Sequence, residues 1–461
     1  MRLFLKSIFT AVTRCIVLSA DGVSAAQATG TPELGSNVPK TLIDKVNAMV
    51  SDDSVRLQEI FKDLHQHPEL GFMEVRTAGI VAKELKALGF DVNTGIGKTG
   101  VVGILRNGEG PVVMYRADMD ANAVEEATGL PYESKVRVKR ADGEEVPVAH
   151  LCGHDAHVTW MLGVAKAMAS LKSDWKGTLI LVGQPAEEPI LGAKAMVDDG
   201  LYKKIPKPDY LIGLHTSPTP TGMVFFKSGD FSAGTDQLDV TFHGIGGHGS
   251  SPHLTKDPVL MASAAIVQYQ YIVSRAINPL NPAVITVGSV QAGSDNNVIP
   301  SSALLKINLR WYVEADRQLM LDGIERVNQS IATAYNLPAS LKPTTVMKGG
   351  SKVLSNDAEM ARIIKPTLQS LLGDKSVLVE APKLMGSEDF HHLVIDNKNH
   401  QYLYMYVGTA NPKDFKKAQA EGKQVPYSNH NPDYRVDLDA IPVGAKVGTV
   451  TALEFLAKTT N

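Results

Sequence analysis

Six side chains in this sequence have the types and the placement of a metal site. Cys152 and His154 stand two apart in Cys152-Gly-His-Asp-Ala-His157, Glu187 and Glu188 are adjacent, His215 closes an apolar run, and His430 lies in a polar stretch. A thiolate, imidazoles and a carboxylate together suit zinc or a similar transition metal. Gly153 leaves room for Cys152 and His154 to turn toward one ion, although taken singly His154 is more often a hydrogen-bonded turn histidine than a ligand. Adjacent carboxylates beside a core strand repel and lose hydration unless a cation compensates them. A solvated loop is the other reading of Glu187-Glu188. Asp118 and Asp120 add two more acids to the set.

These residues need elements that bring them to one place. Apolar runs at 101–105, 112–115, 178–182 and 210–214 read as buried strands, alternating with a helix over about 158–171. That alternation predicts a largely parallel sheet covered on both faces. Asp118, Asp120, Glu187, Glu188 and His215 then follow strand ends, where ligand sites of open α/β sheets collect. Two short helices over 42–64, broken at Ser51-Asp-Asp-Ser54, and a third over 77–88 precede the strands. From about Phe231 the order becomes βαββαβ: strand 238–242, helix 258–276, strands 284–290 and 303–312, helix 317–335, strand 340–347. This is the split βαβ pattern of a ferredoxin-like domain. Helix 357–372, strand 402–407 and helix 440–457 then resume the first pattern, and 411–431 is predicted as a loop around His430. The expected fold is therefore α/β: a mostly parallel-sheet catalytic domain over 29–230 and 349–461, with an inserted ferredoxin-like α+β lid or dimerisation domain over 231–348.

A chain of 461 residues that is 44% hydrophobic can build two cores. Its net charge of −3 supplies no field for nucleic acid or anionic lipid, so small-molecule or peptide partners are favoured. At the N-terminus, Arg2 and Lys6 stand among apolar residues, and the small-residue run Val23-Ser-Ala-Ala-Gln-Ala28 follows. That order predicts a signal peptide over 1–28 and a periplasmic or secreted address; Arg14 interrupts the apolar run, and a poorly ordered N-terminal tail is the other reading. No later run is long enough to span a bilayer. Cys15 would leave with the signal, and Cys152 would remain as an unpaired thiol in an oxidising compartment, where a metal is one occupant and inert burial the other reading.

Eight motifs in fixed order make a resemblance specific: Arg116-Ala-Asp-Met-Asp-Ala121, Cys152-Gly-His-Asp-Ala-His157, Gln184-Pro-Ala-Glu-Glu188, Gly213-Leu-His215, Gly246-Gly-His-Gly-Ser250, Asn297-Val-Ile-Pro300, Met385-Gly-Ser-Glu-Asp-Phe390 and His430-Asn-Pro432. From about His65 onward the chain resembles the metal-dependent family of hippurate hydrolase, bacterial N-acyl-amino-acid amidohydrolases and plant indole-acetyl-amino-acid hydrolases. Aminoacylases and carboxypeptidase G are more distant relatives. The resemblance implies two divalent ions, zinc or manganese with nickel as a further candidate, held by Cys152, His154, Glu188, His215 and His430, with Cys152 between them. It implies Glu187 as general base, and His248 and Asn297 on the inserted domain as contacts to the substrate carbonyl or carboxylate, in some relatives across a homodimer interface. Asp120 is implied as the orienter of a ligand imidazole. The chain departs from the branch after Glu188, where Pro189-Ile-Leu191 replaces the usual glycines. His65, His67 and His243 read as fold residues, and His157 and His253 as candidates for a supporting role.

The function implied is hydrolysis of an N-acyl-amino acid to a carboxylic acid and an amino acid. A dipeptidase or carboxypeptidase would use the same metals and differ only in pocket contacts. A non-catalytic periplasmic metal-binding protein would leave Glu187, His248 and Asn297 without a task. A two-metal phosphoesterase would need cations beyond Arg116.

Overall fold

The apolar runs predicted as strands pair into the middle of an eight-stranded sheet. Its order is Asp91–Ile96, Gly100–Asn107, Gly177–Gln184, Val112–Asp118, Tyr210–Pro220, Gln401–Ala410, Val224–Phe226 and Val377–Val379. The four strands from Gly177–Gln184 to Gln401–Ala410 are mutually parallel. Gly100–Asn107 departs from the predicted direction and pairs antiparallel to both neighbours. The short outer strands were not evident from their composition. This computed structural model describes residues 36–140, 143–394 and 401–457. The segment read as a signal peptide lies outside the described residues.

Alternation along the strands divides the side chains between two apolar layers. Val113 and Tyr115 join one cluster with Leu179, Leu181 and Ile212, whereas Met114, Ile180 and Val182 join the other. The first layer is the larger, and helices His154–Ser170 and Ala440–Leu456 run through it with almost every residue buried. Their crossing is tight: a Cβ on Gly444 would lie 2.2 Å from the Trp160 ring. Helices Lys40–Asp52 and Ser54–Gln66 cover the same side and break near the predicted polar turn.

The βαββαβ region forms an antiparallel sheet in the order Ala283–Gln291, Ser302–Trp311, Gly234–His243, Thr344–Ser351. Helices Pro258–Tyr271 and Glu314–Ala334 bury its Leu238, Val240, Phe242, Leu305, Ile307 and Leu309 face in a separate core. The opposite face, with Gln237 and Arg310, is left for another purpose. One prediction fails locally. The polar stretch after Asn411 contains a helix, Pro412–Ala420, because Asn411 caps the Lys413 amide, Pro412 pre-sets the first turn, and Ala418 supplies a buried contact. Polarity alone did not distinguish a solvated helix from a loop. Among the described residues no helix is long and apolar enough to cross a membrane.

Candidate metal centre

Five segments converge at one rim of the large sheet. Strand Val112–Asp118 delivers Asp118 and, just beyond it, Asp120. Gly153, at φ +86°, turns the chain between Cys152 and helix His154–Ser170. A Cβ there would sit 2.7–2.9 Å from Thr216 and the Tyr434 hydroxyl, so glycine is required both for the angle and for the space. Strand Gly177–Gln184 leads through Pro185 and Ala186, at φ +47°, into Glu187 and Glu188. His215 lies within strand Tyr210–Pro220. His430, at φ +68°, is tied down by its amide, which donates to the Leu151 carbonyl at 2.6 Å.

Two ligand clusters form there and share the thiol. Cys152, His154 and His215 make one, and Cys152, Glu188 and His430 the other, with the donor atoms of each cluster within 4.8 Å of one another. His215 Nδ1 lies 2.7 Å from the Thr216 carbonyl, which places the ring proton on Nδ1 and leaves Nε2, 3.5 Å from Cys152 Sγ, with a free lone pair. His154 Nδ1 faces Asp120 Oδ1 at 3.3 Å. His154 Nε2 and Glu188 Oε1 are buried without a hydrogen-bond partner, 3.8 Å apart. Two orphaned buried polar atoms aimed at one point, beside a thiol, fit divalent cations.

The electrostatics agree. Burial and Glu188 would raise the Cys152 thiol, but His215 and His154 outweigh them and bring it down to about 6, within reach of the thiolate that a metal needs. Burial would likewise raise Glu188, and His430 and His154 bring it down to about 2. The nearby Cys152 and Glu188 groups, the latter 3.4 Å from His430 Nε2, hold His430 up at about 11. Glu187 is pushed well above the usual carboxylate range by burial and by the Glu388 and Glu188 charges. His157 is excluded as a ligand: its Nδ1 bonds Asp118 Oδ1 at 2.5 Å and its Nε2 accepts from the Thr216 amide at 2.8 Å. It supports the strand that carries His215.

A cavity of about 600 Å³ opens over Cys152, Glu187, Glu188, His215 and His430. Its further walls contain residues not singled out from sequence: Gln237 and Arg310 from the antiparallel sheet, and Phe225, Tyr406 and Leu384. Phe225 and Tyr406 stack with centroids 5.2 Å apart. Arg310 bonds Ser387, and burial lowers its pKa while the Glu187 charge opposes that shift. Beneath Glu187, Arg116 bonds Asp118 at 2.6 Å, Glu388 at 2.7 Å and Gln184 at 2.8 Å. A sheet position alternating with apolar residues is the sequence signal for Arg310; for Glu388 it is the Met385–Phe390 motif.

His248 and Asn297 are not brought to this cavity. They sit exposed on a small ladder, His248 opposite Val298 and the Gly249 amide bonded to the Asn297 carbonyl at 2.7 Å. His253 is exposed, His67 bonds the Asp63 carbonyl, and His243 lies beside Thr344. His65 is buried between Asp155 and Glu126.

Comparison with known proteins resolves the family. Residues 114–454 match the model of peptidase family M20/M25/M40. The chain belongs to this family and is an amide-bond hydrolase. This M20 chain is 37% identical over 358 residues to a hippurate hydrolase of Campylobacter jejuni, covering 75% of the chain and 89% of that protein. It is 32% identical to thermostable carboxypeptidase 2 of Saccharolobus solfataricus, over 90% of the chain and all of the relative. A solved Bacillus subtilis protein, described as a dinuclear metal binding peptidase of the M20 family, superposes with a TM-score of 0.65 at 26% identity, covering 87% of this chain and 98% of that one. The M20 fold, with its mostly parallel catalytic sheet, is the one present here.

Proposed function

We propose that the chain hydrolyses N-acyl-amino acids to a carboxylic acid and a free amino acid, with Glu187 as general base. The observation that carries this reading is the shared cavity: Glu187, the donors Cys152, Glu188, His215 and His430, and the cation Arg310 all line it, with His154 beside them in the Cys152 cluster. Cys152, His154 and His215 would hold one divalent ion, and Cys152, Glu188 and His430 the other; zinc or manganese suits the donors, and nickel also. Such ions supply Lewis acidity and bring the pKa of a water from about 15.7 toward 7. Glu187 would take the proton of the attacking water as the water oxygen adds to the amide carbon, and would return it to the nitrogen as the C–N bond breaks. A carboxylate pushed upward by burial and by neighbouring acids is suited to both halves of this transfer.

Arg310 would pair with the substrate carboxylate, and Phe225, Tyr406 and Leu384 would face the acyl group. A carboxypeptidase reading uses the same contacts and is supported by the similarity to the thermostable enzyme. Arg116 is buried and engaged by Asp118 and Glu388, which leaves Arg310 as the cation that faces the cavity. Residues 231–348 would act as a lid and dimer surface, with His248 and Asn297 reaching the cavity of a second copy, and residues 1–28 would direct export. The test is amino-acid release from N-acetyl, N-benzoyl and indole-acetyl amino acids and from dipeptides, with and without chelator. Chelator-sensitive release from the acyl compounds is expected. Release from dipeptides alone would favour the peptidase reading, and silence across a metal-loaded panel would contradict both.

A further inference from the structure

Three consecutive backbone amides in the turn that carries Glu187 end on carboxylates from elsewhere in the chain. The Glu187 amide donates to Asp120 Oδ1 at 3.1 Å and the Glu188 amide to Asp120 Oδ2 at 3.0 Å. The Ala186 amide donates to Glu74 Oε1 at 2.8 Å. Successive N–H groups around a left-handed residue form a concave anion-binding nest, and here the nest is filled from within. Ala186 holds φ +47°, a conformation that costs a non-glycine residue free energy and persists only where surroundings enforce it.

Glu74 is completely buried, does not line the substrate cavity and belongs to neither ligand cluster. Burying a carboxylate is expensive, and packing alone would be served better by an apolar side chain of the same size. Its second oxygen accepts from the Thr99 hydroxyl at 2.5 Å, in the turn between strands Asp91–Ile96 and Gly100–Asn107. The loop before it is fitted to the same turn: a Cβ on Gly71 would come within 3.1 Å of Ala186 and 3.4 Å of Asp120 Oδ2. Glu74, aimed by Thr99, thus grips the residue immediately before Glu187.

We propose that Glu74 is a positioning residue for the reaction: it holds Ala186 left-handed, and Thr99 holds Glu74, so that the Glu187 carboxylate stands toward the cavity. This rests on Glu187 being the general base. Without the grip Ala186 relaxes toward ordinary backbone angles and Glu187 swings from its working position, a displacement of the size that costs about 100-fold in rate. Substrate affinity, set by Arg310 and the apolar walls, stays the same.

The test compares Glu74→Leu, Glu74→Gln and Thr99→Val with the wild type, each full-length and loaded to equal metal content, on one N-acyl-amino acid. Glu74→Leu is expected to lose about 100-fold in kcat with little change in KM. Glu74→Gln keeps an acceptor for the Ala186 amide and a partner for Thr99, and should retain kcat within a few-fold. A role in stability alone would lower the melting temperature of Glu74→Leu without this kcat-against-KM split. Wild-type kcat in metal-loaded Glu74→Leu, or equal losses in the Leu and Gln variants, would overturn the proposal. If Glu74→Leu does not fold, Thr99→Val decides: a several-fold lower kcat at unchanged KM supports the grip, and wild-type kcat overturns it. Glu187→Gln assayed alongside separates the two claims, since its activity would sink the base assignment itself.

Discussion

The chemistry at residue scale turns on three side chains with separable tasks. On the proposed mechanism Glu187→Gln removes the proton acceptor and leaves the candidate metal donors in place, so turnover should fall about 10²–10⁴-fold while metal content stays at the wild-type value. Cys152→Ala removes the atom common to both clusters and should lose bound metal together with activity, read by metal analysis of the purified protein. Arg310→Ala should act on KM, because a charge-assisted hydrogen bond to substrate contributes about 1.5–3 kcal/mol, or roughly 10- to 100-fold in affinity. An Arg310→Ala enzyme with unchanged KM would move the carboxylate contact elsewhere in the cavity. The candidate metal donors were legible in the sequence because each sits in a motif with a distinctive residue type. Arg310 was not, since an arginine on a strand reads as a solvated position until the fold shows which face looks into the cavity.

At the scale of elements, ion networks join pieces that the sequence separates. His65, on helix Ser54–Gln66, lies 2.6 Å from Asp155 on helix His154–Ser170 and 3.0 Å from Glu126. Burial would lower its pKa, but the two carboxylates prevail and raise it to about 10. A group raised above its unfolded value of about 6.5 contributes stability that is fully present below that pH and is lost as pH rises through the folded value. The wild type should therefore lose stability to urea between pH ~6.5 and ~10. His65→Gln should be less stable at neutral pH by on the order of 3 kcal/mol and flatter across that window. A wild-type curve that does not fall there would remove the charged-histidine assignment. Helices and central strands were legible from periodicity, as at 77–88 and 210–214. The antiparallel course of Gly100–Asn107 was not, because an apolar run reports burial and not direction. The helix at Pro412–Ala420 was missed for the opposite reason: it buries too little to leave a stripe.

The whole molecule places the two sheets' functional faces on one cavity, Arg310 from the antiparallel sheet and Glu187 from the parallel one. His248 and Asn297 stay exposed outside it, which motivates the proposed dimer. Mixing Glu187→Gln subunits with His248→Ala subunits should then restore activity that neither has alone, to about a quarter of wild type under random pairing in a two-fold dimer. No recovery on mixing would place His248 outside the reaction or within its own subunit's site. The measurement that bears most directly on the central claim is amino-acid release from an N-benzoyl or N-acetyl amino acid by metal-loaded wild type and Glu187→Gln side by side. The account predicts release by the wild type, its loss on chelation and return with zinc or manganese, and release slower by about 10²–10⁴-fold from a Glu187→Gln enzyme of equal metal content. Equal release by both would contradict it.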